Sequence, residues 1–332
     1  MWAYLLRRLL YNIPVFIGIL LLVMLALRVR DPVYAYLGKN VNESTIDAKR
    51  EEFGLTRPFM LAAPADSQFG SFVIQVFTLD FSEDSWDHPG ETVGEIMGRC
   101  IGPSLALSIP ALVLTTVISV TISLFAAWFR GRAIDQLLVI AAVIGMSVSF
   151  LVYIIFGQYW GAYLLPDITG HEAFAINGYV RPSETTWWEY LTWYWPHHCL
   201  LPVMISVIVA MGYDTRFYRA VMVEESGRDY ITTARAKGAS QFRVMFVHML
   251  KNAMIPIITR VVITIPFLIM GSFLLETYFT IPGMGRELIL AVEHADFPVV
   301  QAFTAVLAGI YILANLLTDA LYALVDPRVR LS

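Results

Sequence analysis

The sequence predicts an all-α integral membrane protein with six transmembrane helices. Of its 332 residues, 57% are hydrophobic and only 15% are charged, whereas soluble domains carry roughly 25% charged residues. Several apolar stretches also reach the roughly 20 residues that a helix needs to cross the hydrocarbon core of a bilayer. A basic, amphipathic segment that is not itself a span lies between two of these stretches, and it is the best indication of function.

Six stretches qualify, or nearly qualify, as membrane spans. They are Leu9–Leu27, Leu105–Phe129, Leu137–Gly157, Trp195–Tyr213, Ala253–Phe279 and Phe297–Val325. The first is expected to remain as an anchor, because its apolar run exceeds the roughly 7–15 residues of a signal peptide and no small-x-small cleavage site follows. The fourth is the weakest, because Pro196 and Pro202 interrupt its start.

Lys and Arg residues in the short loops predict the orientation of the chain, since cytoplasmic loops carry an excess of them. The residues that indicate the cytoplasmic side are Arg7, Arg8, Arg130, Arg132, Arg328, Arg330 and those of the basic segment. The two shorter loops on the other side contain only Arg181 and Arg286. Arg28 and Arg30 oppose this orientation, but the long loop that follows them counts little. Both termini are therefore predicted to be cytoplasmic.

The spans divide the chain into regions. The predicted regions are an N-terminal helix (1–30), a periplasmic segment (31–95), a core transmembrane domain (96–326) with a periplasmic insert (158–196) and a cytoplasmic loop (214–252), and a cytoplasmic tail (327–332). In the first periplasmic segment, Ser44 and Asp47 have the spacing of a capping box, which predicts a short helix ended by Gly54. Gly94, Gly98 and Gly102 are spaced for close helix packing.

Enzymatic motifs are absent from the sequence. It contains no G-x-x-x-x-G-K-[ST] phosphate loop, no H-E-x-x-H, no C-x-x-C and no G-x-S-x-G. We therefore expect a non-catalytic chain without a cofactor or metal of its own. The positive charge lies on one side, as membrane topology alone would produce, so nucleic acid is not an expected partner.

Cysteines and histidines give weaker indications. A disulfide between Cys100 and Cys199 is one alternative, but two small buried hydrophobic residues are favoured. Five of the six histidines are predicted to lie on the external side with structural or interfacial roles. They are His88, His171, His197, His198 and His294. Neighbouring His197 and His198 point to different helix faces, and no carboxylate or thiol completes a metal set. An aromatic run, Trp187 to Pro196, fits a membrane-surface belt, with substrate stacking as the alternative.

Charged residues within membrane spans need a partner or a pathway. Arg260 and Glu276 in the fifth span are the candidate pathway residues, and Asp214 and Asp319 lie near the inner ends of spans. The favoured interpretation is that Arg260, Glu276 and Asp214 reach the membrane interface by snorkelling, and the alternative for Arg260 is a cation that lines the translocation pathway. No set of paired intramembrane charges is evident in the sequence.

The basic segment runs from Glu224 to Pro256. Gly238 divides it into two helical pieces, and Ser240 is a plausible N-cap of the second. After Ser240, apolar residues recur at i, i+3, i+4 and i+7, which predicts one apolar face of a helix. They are Phe242, Met245, Phe246 and Met249. The alternative is a basic amphipathic helix lying on anionic lipid.

Longer motifs resemble a known family. The run DYITTARAKGAS from Asp229, continuing to HMLKNAMIP, resembles the cytoplasmic loop of type I ABC-importer permeases of the oligopeptide/dipeptide (nickel) branch. LLETYFTIPGMGRELILAVEHADFPVVQ from Leu274, NLLTDALYALVDPRVR from Asn315, the N-terminal helix and FGLTRPF are similar to the same branch. Thr232 to Ala234 stand where the general importer loop has Glu-Ala-Ala, whereas Gly238 is retained.

This resemblance implies a six-helix type I ABC importer permease that forms half of a pore in the inner membrane of a bacterium, with its external segments in the periplasm. The implied partners are a second homologous permease, two cytoplasmic ATPases that bind ATP and Mg, and a periplasmic or lipid-anchored binding protein. The implied coupling helix is roughly Ala239–Leu250, with its apolar face in a cleft of an ATPase, and it would drive alternating access. The candidate coupling residues are Tyr230, Ala234, Arg235, Lys237, Gly238, Ala239, Ser240, Phe242, Arg243, Met245, Phe246 and Met249.

The resemblance implies di- or oligopeptides as the cargo. Nickel or other metal chelates, glutathione and oligosaccharides are the alternatives within the class. A stand-alone ion-coupled transporter and an intramembrane enzyme are the alternatives outside it, and the former requires paired buried charges.

Overall fold

The computed structural model describes residues 2–29, 31–37, 42–60, 66–270 and 273–325, so the predicted tail and the side chain of Asp319 lie outside the described part. The described residues are predominantly helical. The α-helices are α1 (Trp2–Leu27), α2 (Val33–Leu37), α3 (Glu43–Glu52), α4 (Gln68–Thr78), α5 (Val93–Trp128), α6 (Ala133–Ser147), α7 (Phe150–Gly157), α8 (Leu165–Thr169), α9 (Trp187–Glu189), α10 (Trp195–Ser226), α11 (Asp229–Ala236), α12 (Gln241–Arg243), α13 (Leu250–Met270), α14 (Phe273–Tyr278), α15 (Met284–Glu293) and α16 (Phe297–Val325). Three π-helical stretches, Gln158–Leu164, Tyr190–Tyr194 and Val244–Met249, join neighbouring helices, and Pro182–Glu184 forms a short 3₁₀ turn.

The all-α membrane fold predicted from composition is confirmed. Five of the described helices are long and apolar enough to span a bilayer, and a sixth span results if the bent pair Ala133–Ser147 and Phe150–Thr169 counts as one. The fourth predicted span lies in the longest of these, Trp187–Ser226. The helix continues past both Pro196 and Pro202, so these prolines do not end it.

The third predicted span, Leu137–Gly157, is bent. The axes of its two halves differ by 91°, because Val148 and Ser149 adopt extended backbone angles between α6 and α7. The Tyr153 hydroxyl donates a hydrogen bond of 2.8 Å to the carbonyl oxygen of Gly145 across this break. Neither residue is proline or glycine, so the sequence gives no signal for the bend.

The described chain forms two compact units, and the first comprises Met1–Ser104 with Pro282–Ala320. Its core contains side chains from α1, α4 and α16, namely Leu20, Met24, Phe72, Val76 and Ala305. Aromatic rings extend this packing: Phe53 stacks on Trp86 with centroids 3.9 Å apart, and Trp86 in turn stacks on Phe297 at 5.4 Å.

Asp296 joins the first residues of α16 to the segment before α5. Its buried carboxylate accepts hydrogen bonds from the Ser85 hydroxyl and from the backbone N–H groups of Trp86 and Asp87, the latter two at 3.3 Å. Its own backbone carbonyl accepts from Val300 N–H at 3.1 Å. One N-cap residue therefore fixes both a helix start and a turn more than 200 positions away in sequence.

The second unit consists mainly of Leu105–Ile281. One core cluster packs α5, α7, α10 and α14 together around Ile154, Val203 and Phe279. A second cluster, which we call the lower core, contains Leu124, Tyr218, Met222, Ile231, Ala234, Val244, Met245, Met249, Ala253 and Ile257. The first cluster contains residues from the first half of α10 and the lower core contains residues from its second half, so this helix contributes to both cores of the unit.

Close helix packing in the second unit depends on glycines other than those predicted. A Cβ atom at Gly212 of α10 would lie 3.0 Å from the Ala142 carbonyl oxygen of α6, and one at Gly157 would lie 2.6 Å from the Ile205 side chain. A Cβ atom at Gly98 or Gly102 would meet no described atom within 4 Å. A Cβ atom at Gly94 would lie 3.1 Å from the Phe81 carbonyl oxygen, so among the described residues the predicted close packing is seen at Gly94 but not at Gly98 or Gly102.

Two further local predictions can be compared with the structure. The helix predicted after Ser44 exists, and Gly54 follows it with φ +65° as expected. The capping box is wrong, because α3 already begins at Glu43 and its N-cap is Asn42. Cys100 and Cys199, both in the described part, are buried and belong to no disulfide, so the favoured interpretation is confirmed.

Replacing Asp296 with Ala should lower stability by about 2–4 kcal/mol, because the buried donors of Ser85, Trp86 and Asp87 would lose their acceptor. Thermal unfolding of the purified protein in detergent, followed by tryptophan fluorescence, measures the change in Tm. Asp84→Ala is the matched control, since that residue is exposed in the same segment. Equal Tm values for the two variants would contradict the assigned role of Asp296.

Candidate functional site

A separate short helix, α11, lies between α10 and α13 in the sequence of the second unit. It follows a turn at Gly227, which caps α10. It ends in a Schellman motif, in which Gly238 N–H donates to Arg235 O at 2.9 Å and Ala239 N–H donates to Ala234 O at 3.1 Å. Gly238 has φ +77°, a conformation that favours glycine. The predicted division of the segment at Gly238 is thus confirmed.

The inward face of α11 is anchored in the lower core. Ile231 is 1% exposed and Ala234 is 9% exposed, and they are three residues apart on one helix face. Both belong to the same buried cluster as Tyr218 and Met222 of α10 and Met245 of the following helix. One face of the short helix therefore packs against the helix before it and the helix after it in the sequence.

The outward face of α11 is exposed. Its residues are Thr232, Thr233, Arg235 and Ala236, and Lys237 and Gly238 continue the exposed surface. After the turn, Gln241, Phe242 and Arg243 are also exposed, and the Phe242 ring stacks on that of Phe246 with centroids 4.4 Å apart. We call these nine exposed residues, from Thr232 to Arg243, the outward patch. It combines cations, hydroxyls and one aromatic ring.

The helix that follows Gly238 is not a separate cytoplasmic helix. Ser240 is its N-cap, as predicted, and accepts from Arg243 N–H at 3.4 Å. The helix then runs without a break through the π-helical stretch into α13, and Gln241–Thr264 together form one candidate span. Ala239–Leu250 is therefore not a helix of its own, and the separate helix of the segment is α11; which of the two couples to a partner stays a prediction.

The predicted coupling residues divide into two groups in the structure. Ala234, Met245 and Met249 are buried in the lower core, and Tyr230, Ala239 and Phe246 are half-buried against it. The exposed ones are Arg235, Lys237, Gly238, Ser240, Phe242 and Arg243. The apolar face predicted to enter a partner's cleft is thus mainly an internal packing face, because Met245 and Met249 are 5% and 3% exposed.

Polar contacts hold the turn between α10 and α11. The Tyr230 hydroxyl donates to Glu225 Oε2 at 2.6 Å, and Arg228 Nη2 donates to Glu224 Oε1 at 2.7 Å. Burial, together with the hydrogen bond to Glu225, raises the pKa of Tyr230 to about 12. The phenol therefore remains a hydrogen-bond donor at any physiological pH, and it ties α11 to the end of α10.

Two ion pairs connect α10 to its neighbours. Two guanidinium nitrogens of Arg219 donate hydrogen bonds to Asp135 of α6, Nε to Oδ1 at 2.6 Å and Nη2 to Oδ2 at 2.7 Å. Arg260 of α13 binds Asp214, with Nε 3.2 Å from Oδ1. No paired charges were evident within the spans from the sequence alone, and these two pairs, whose residues lie in candidate spans, correct that expectation. Both pairs lie towards the α11 end of α10, where they join three helices.

The candidate pathway residues differ in exposure. The Arg260 side chain remains 44% exposed although it is paired with Asp214. Glu276 of α14 is fully buried, at 0% exposure, so the expectation that it snorkels to an interface is wrong. A pathway role for either residue stays a prediction.

His197 and His198 have structural contacts. The ring nitrogens of these residues lie 3.3 Å from Ala173 O and 3.2 Å from Gly178 O, and their rings are nearly perpendicular. Both rings therefore fix the loop before Pro182, in agreement with the structural role that was favoured. Among the described residues, no three His, Cys, Asp or Glu side chains are placed to hold a metal ion.

Several residues of the site were missed by sequence reasoning. Ile231 supplies the main anchor of α11, and Thr233 and Ala236 supply much of its exposed face. The spacing of Ile231 and Ala234 was a usable signal, but eight residues are too few to show a clear apolar period. The stronger apolar period after Ser240 belongs to the helix that continues into α13.

Comparisons with known proteins agree with this architecture. The family model described as binding-protein-dependent transport system inner membrane component matches residues 119–331. A probable peptide ABC transporter permease protein of Sinorhizobium fredii is 32% identical over 335 residues, which cover 99% of this chain and 100% of the relative. A putative peptide permease protein of Brucella suis is 31% identical over 346 residues, covering 100% of both chains.

A third relative matches a shorter region. The dipeptide transport system permease protein DppB of Escherichia coli is 44% identical over 133 residues, or 40% of this chain and 39% of the relative. The resemblance stated from the sequence motifs is therefore confirmed. With the family model covering well over half of the chain and relatives aligned along their whole length, the protein belongs to the binding-protein-dependent transport system inner membrane components, the permeases of type I ABC importers.

Proposed function

We propose that this chain is one half of the translocation pore of an ATP-driven importer for peptides, and that α11 is its coupling helix. The observation that carries the proposal is the free-standing helix itself, with one face buried in the lower core and the other exposed. A helix with this arrangement offers a surface to a partner and is also packed against α10 and α13. Movement of the partner can therefore move the pore.

The proposed docking surface is the outward patch. An ATP-binding subunit would contact Thr232, Arg235 and Ala236 of α11, with Phe242 and Arg243 beside them. The exposed Phe242 ring supplies an apolar anchor of the kind that dominates binding energy at interfaces. Ala234 of α11, together with Met245 and Met249 of the following helix, is buried in the lower core. These contacts would transmit force from α11 to the spans.

Transmission depends on rigid contacts. Packing of Ile231 on Tyr218 and Met222, with the ion pairs Asp135–Arg219 and Asp214–Arg260, makes α11 and the adjacent ends of α6, α10 and α13 one body. A rigid-body rotation of this assembly would change access to the pore from one side to the other, as in alternating access. The chain itself would remain non-catalytic, with ATP and Mg bound by two partner ATPases.

The remaining partners and the orientation follow from the same proposal. A second, homologous permease would complete the pore, and a substrate-binding protein would deliver cargo on the opposite side. The outward patch would face the cytoplasm, as would both termini. The names of three relatives, which describe peptide or dipeptide permeases, support peptides as the cargo. No contact in the described residues favours metal chelates, glutathione or oligosaccharides.

Purification of the chain from its native membrane in mild detergent should recover two ATP-binding subunits and a second permease, because the interface of α11 would survive extraction. Mass spectrometry identifies the subunits, and ATP hydrolysis by the eluate confirms their activity. A chain recovered alone and without ATPase activity in several detergents would contradict the proposed function and favour a stand-alone transporter.

Ala236→Glu should abolish ATP-dependent uptake and reduce the recovered ATPase at least about tenfold, which corresponds to about 1.4 kcal/mol of binding. The added carboxylate would lie on the outward patch without disturbing the buried face. Ala133→Glu is the matched control, since Ala133 is an exposed alanine in the other predicted cytoplasmic loop. Equal recovery of ATPase with both variants would place the docking surface elsewhere.

Arg260→Gln should lower the uptake of anionic peptides relative to cationic ones about fivefold, a change of about 1 kcal/mol, if the exposed guanidinium lines the pathway. Competition between labelled peptides of opposite charge measures this ratio. Arg260→Lys keeps the charge and should keep the ratio. The double variant Asp214→Asn/Arg260→Gln removes the carboxylate left unpaired, so a ratio restored to that of the wild type would mean that the effect came from Asp214. A uniform loss for all peptides would identify the pair as structural.

A further inference from the structure

The first compact unit contains a cavity of about 140 Å³ that none of the functions above uses. Its walls come from the end of α1, the turn after α3, α4 and the start of α16. The aromatic rings of Phe53, Trp86 and Phe297, which stack on one another, form one apolar side. The volume is close to that of an engineered cavity of about 150 Å³ that accommodates benzene. It therefore suits a ligand about the size of a single small amino acid.

Arg28 brings a positive charge to this cavity. The Nε atom is buried and has no hydrogen-bond partner among the described residues. The guanidinium carbon lies 5.2 Å from the centre of the Phe59 ring, which covers one of its faces. Burial lowers the pKa of Arg28, because the charged form loses contact with water. A guanidinium placed in this way gains most from an anionic ligand with two oxygens.

The acidic residue nearest in sequence to Arg28 is already bound to another cation. Asp31 accepts two hydrogen bonds from Arg50 at its Oδ2 atom, from Nη2 at 2.6 Å and from Nε at 3.1 Å. Asp31 also attracts Arg28, but this attraction only partly opposes the effect of burial, which lowers the Arg28 pKa. Burial of a charge that is incompletely compensated costs free energy. An anion bound in the cavity would offset this cost, and Arg28 is the group best placed to bind it.

The other polar groups of the cavity complement a zwitterion. Arg57 and Glu83 also line it, so its three charged groups, two Arg and one Glu, sum to a net charge of +1. The Glu83 carboxylate accepts one hydrogen bond, from Gln75 Nε2 at 3.3 Å, and its other oxygen remains available to an N–H donor. Gln68 is committed to the backbone, since its amide nitrogen donates to Leu55 O at 3.1 Å and also to Arg57 O.

We propose that this cavity is a binding site for the carboxylate of an α-amino acid, with Arg28 bound to the carboxylate oxygens and Glu83 bound to the nitrogen. The side chain of the ligand packs on the stacked rings of Phe53 and Trp86. Two sources share this chemistry, a free amino acid and the C-terminal residue of a peptide. The site is independent of α11, which belongs to the other compact unit, and of the proposed coupling to ATPases.

Four small probes test the proposal on the full-length purified chain in lipid nanodiscs, by calorimetric titration. They are L-alanine, L-alaninamide without the carboxylate, N-acetyl-L-alanine without the ammonium, and L-alanyl-L-alanine. L-alanine should bind saturably, and L-alaninamide at least about tenfold more weakly, because Arg28 loses its partner. Tighter binding of the free amino acid than of the dipeptide identifies the first source, and equal or tighter binding of the dipeptide identifies the second.

Variants separate binding from folding. Arg28→Gln should weaken L-alanine at least about tenfold but leave L-alaninamide unchanged, so the two losses are not additive. Arg28→Lys should partly restore binding, and Glu83→Gln should reduce the preference for L-alanine over N-acetyl-L-alanine. Arg99→Gln is the control, since Arg99 pairs with Glu91 at 2.9 Å outside the cavity. Failure of every probe to bind the wild type, or equal losses of both ligands with Arg28→Gln, would overturn the proposal.

Discussion

Packing of Ile231 and Ala234 into the lower core is the contact on which the proposed mechanism depends. It brings a helix of only eight residues into one cluster with Tyr218 of α10 and Met245 of the helix that continues into α13. An isolated helix of this length is marginal in water, so its stability comes from this burial. The same contact that makes the helix stable therefore also connects it mechanically to two spans.

Charged groups strengthen these connections at defined points. Asp135 is almost fully buried, and its carboxylate accepts hydrogen bonds from Nε and Nη2 of Arg219 and from the backbone N–H of Gly131, the last at 3.0 Å. Breaking such a pair leaves an uncompensated charge, at a cost of about 3–5 kcal/mol. The ion pairs thus resist separation of α6 from α10, whereas the close approach at Gly212 sets the distance between them.

Much of this fold could be predicted from the sequence, because a membrane restricts a chain to long apolar helices. The limits of α16 follow directly from composition, and Ser240 and Gly238 mark a cap and a turn by their chemistry. The bend at Val148 could not be predicted, since no residue there breaks a helix. The apolar face of Met245 and Met249 was expected to contact a partner, because its spacing is equally suited to an internal core and to a partner. Burial, which periodicity alone cannot assign, decides between the two.

The division of α11 into an anchored face and an exposed face has a consequence for how such a transporter diverges. Substitutions at Thr232, Thr233 or Ala236 alter no buried contact, so recognition of a partner can drift while the fold stays unchanged. Substitutions at Ile231 or Ala234 would disturb the folding of α11 and, in the proposed mechanism, the transmission of force. These two positions therefore tolerate less change. Duplicated copies of this chain could acquire different ATPases through a few surface positions and retain the same pore.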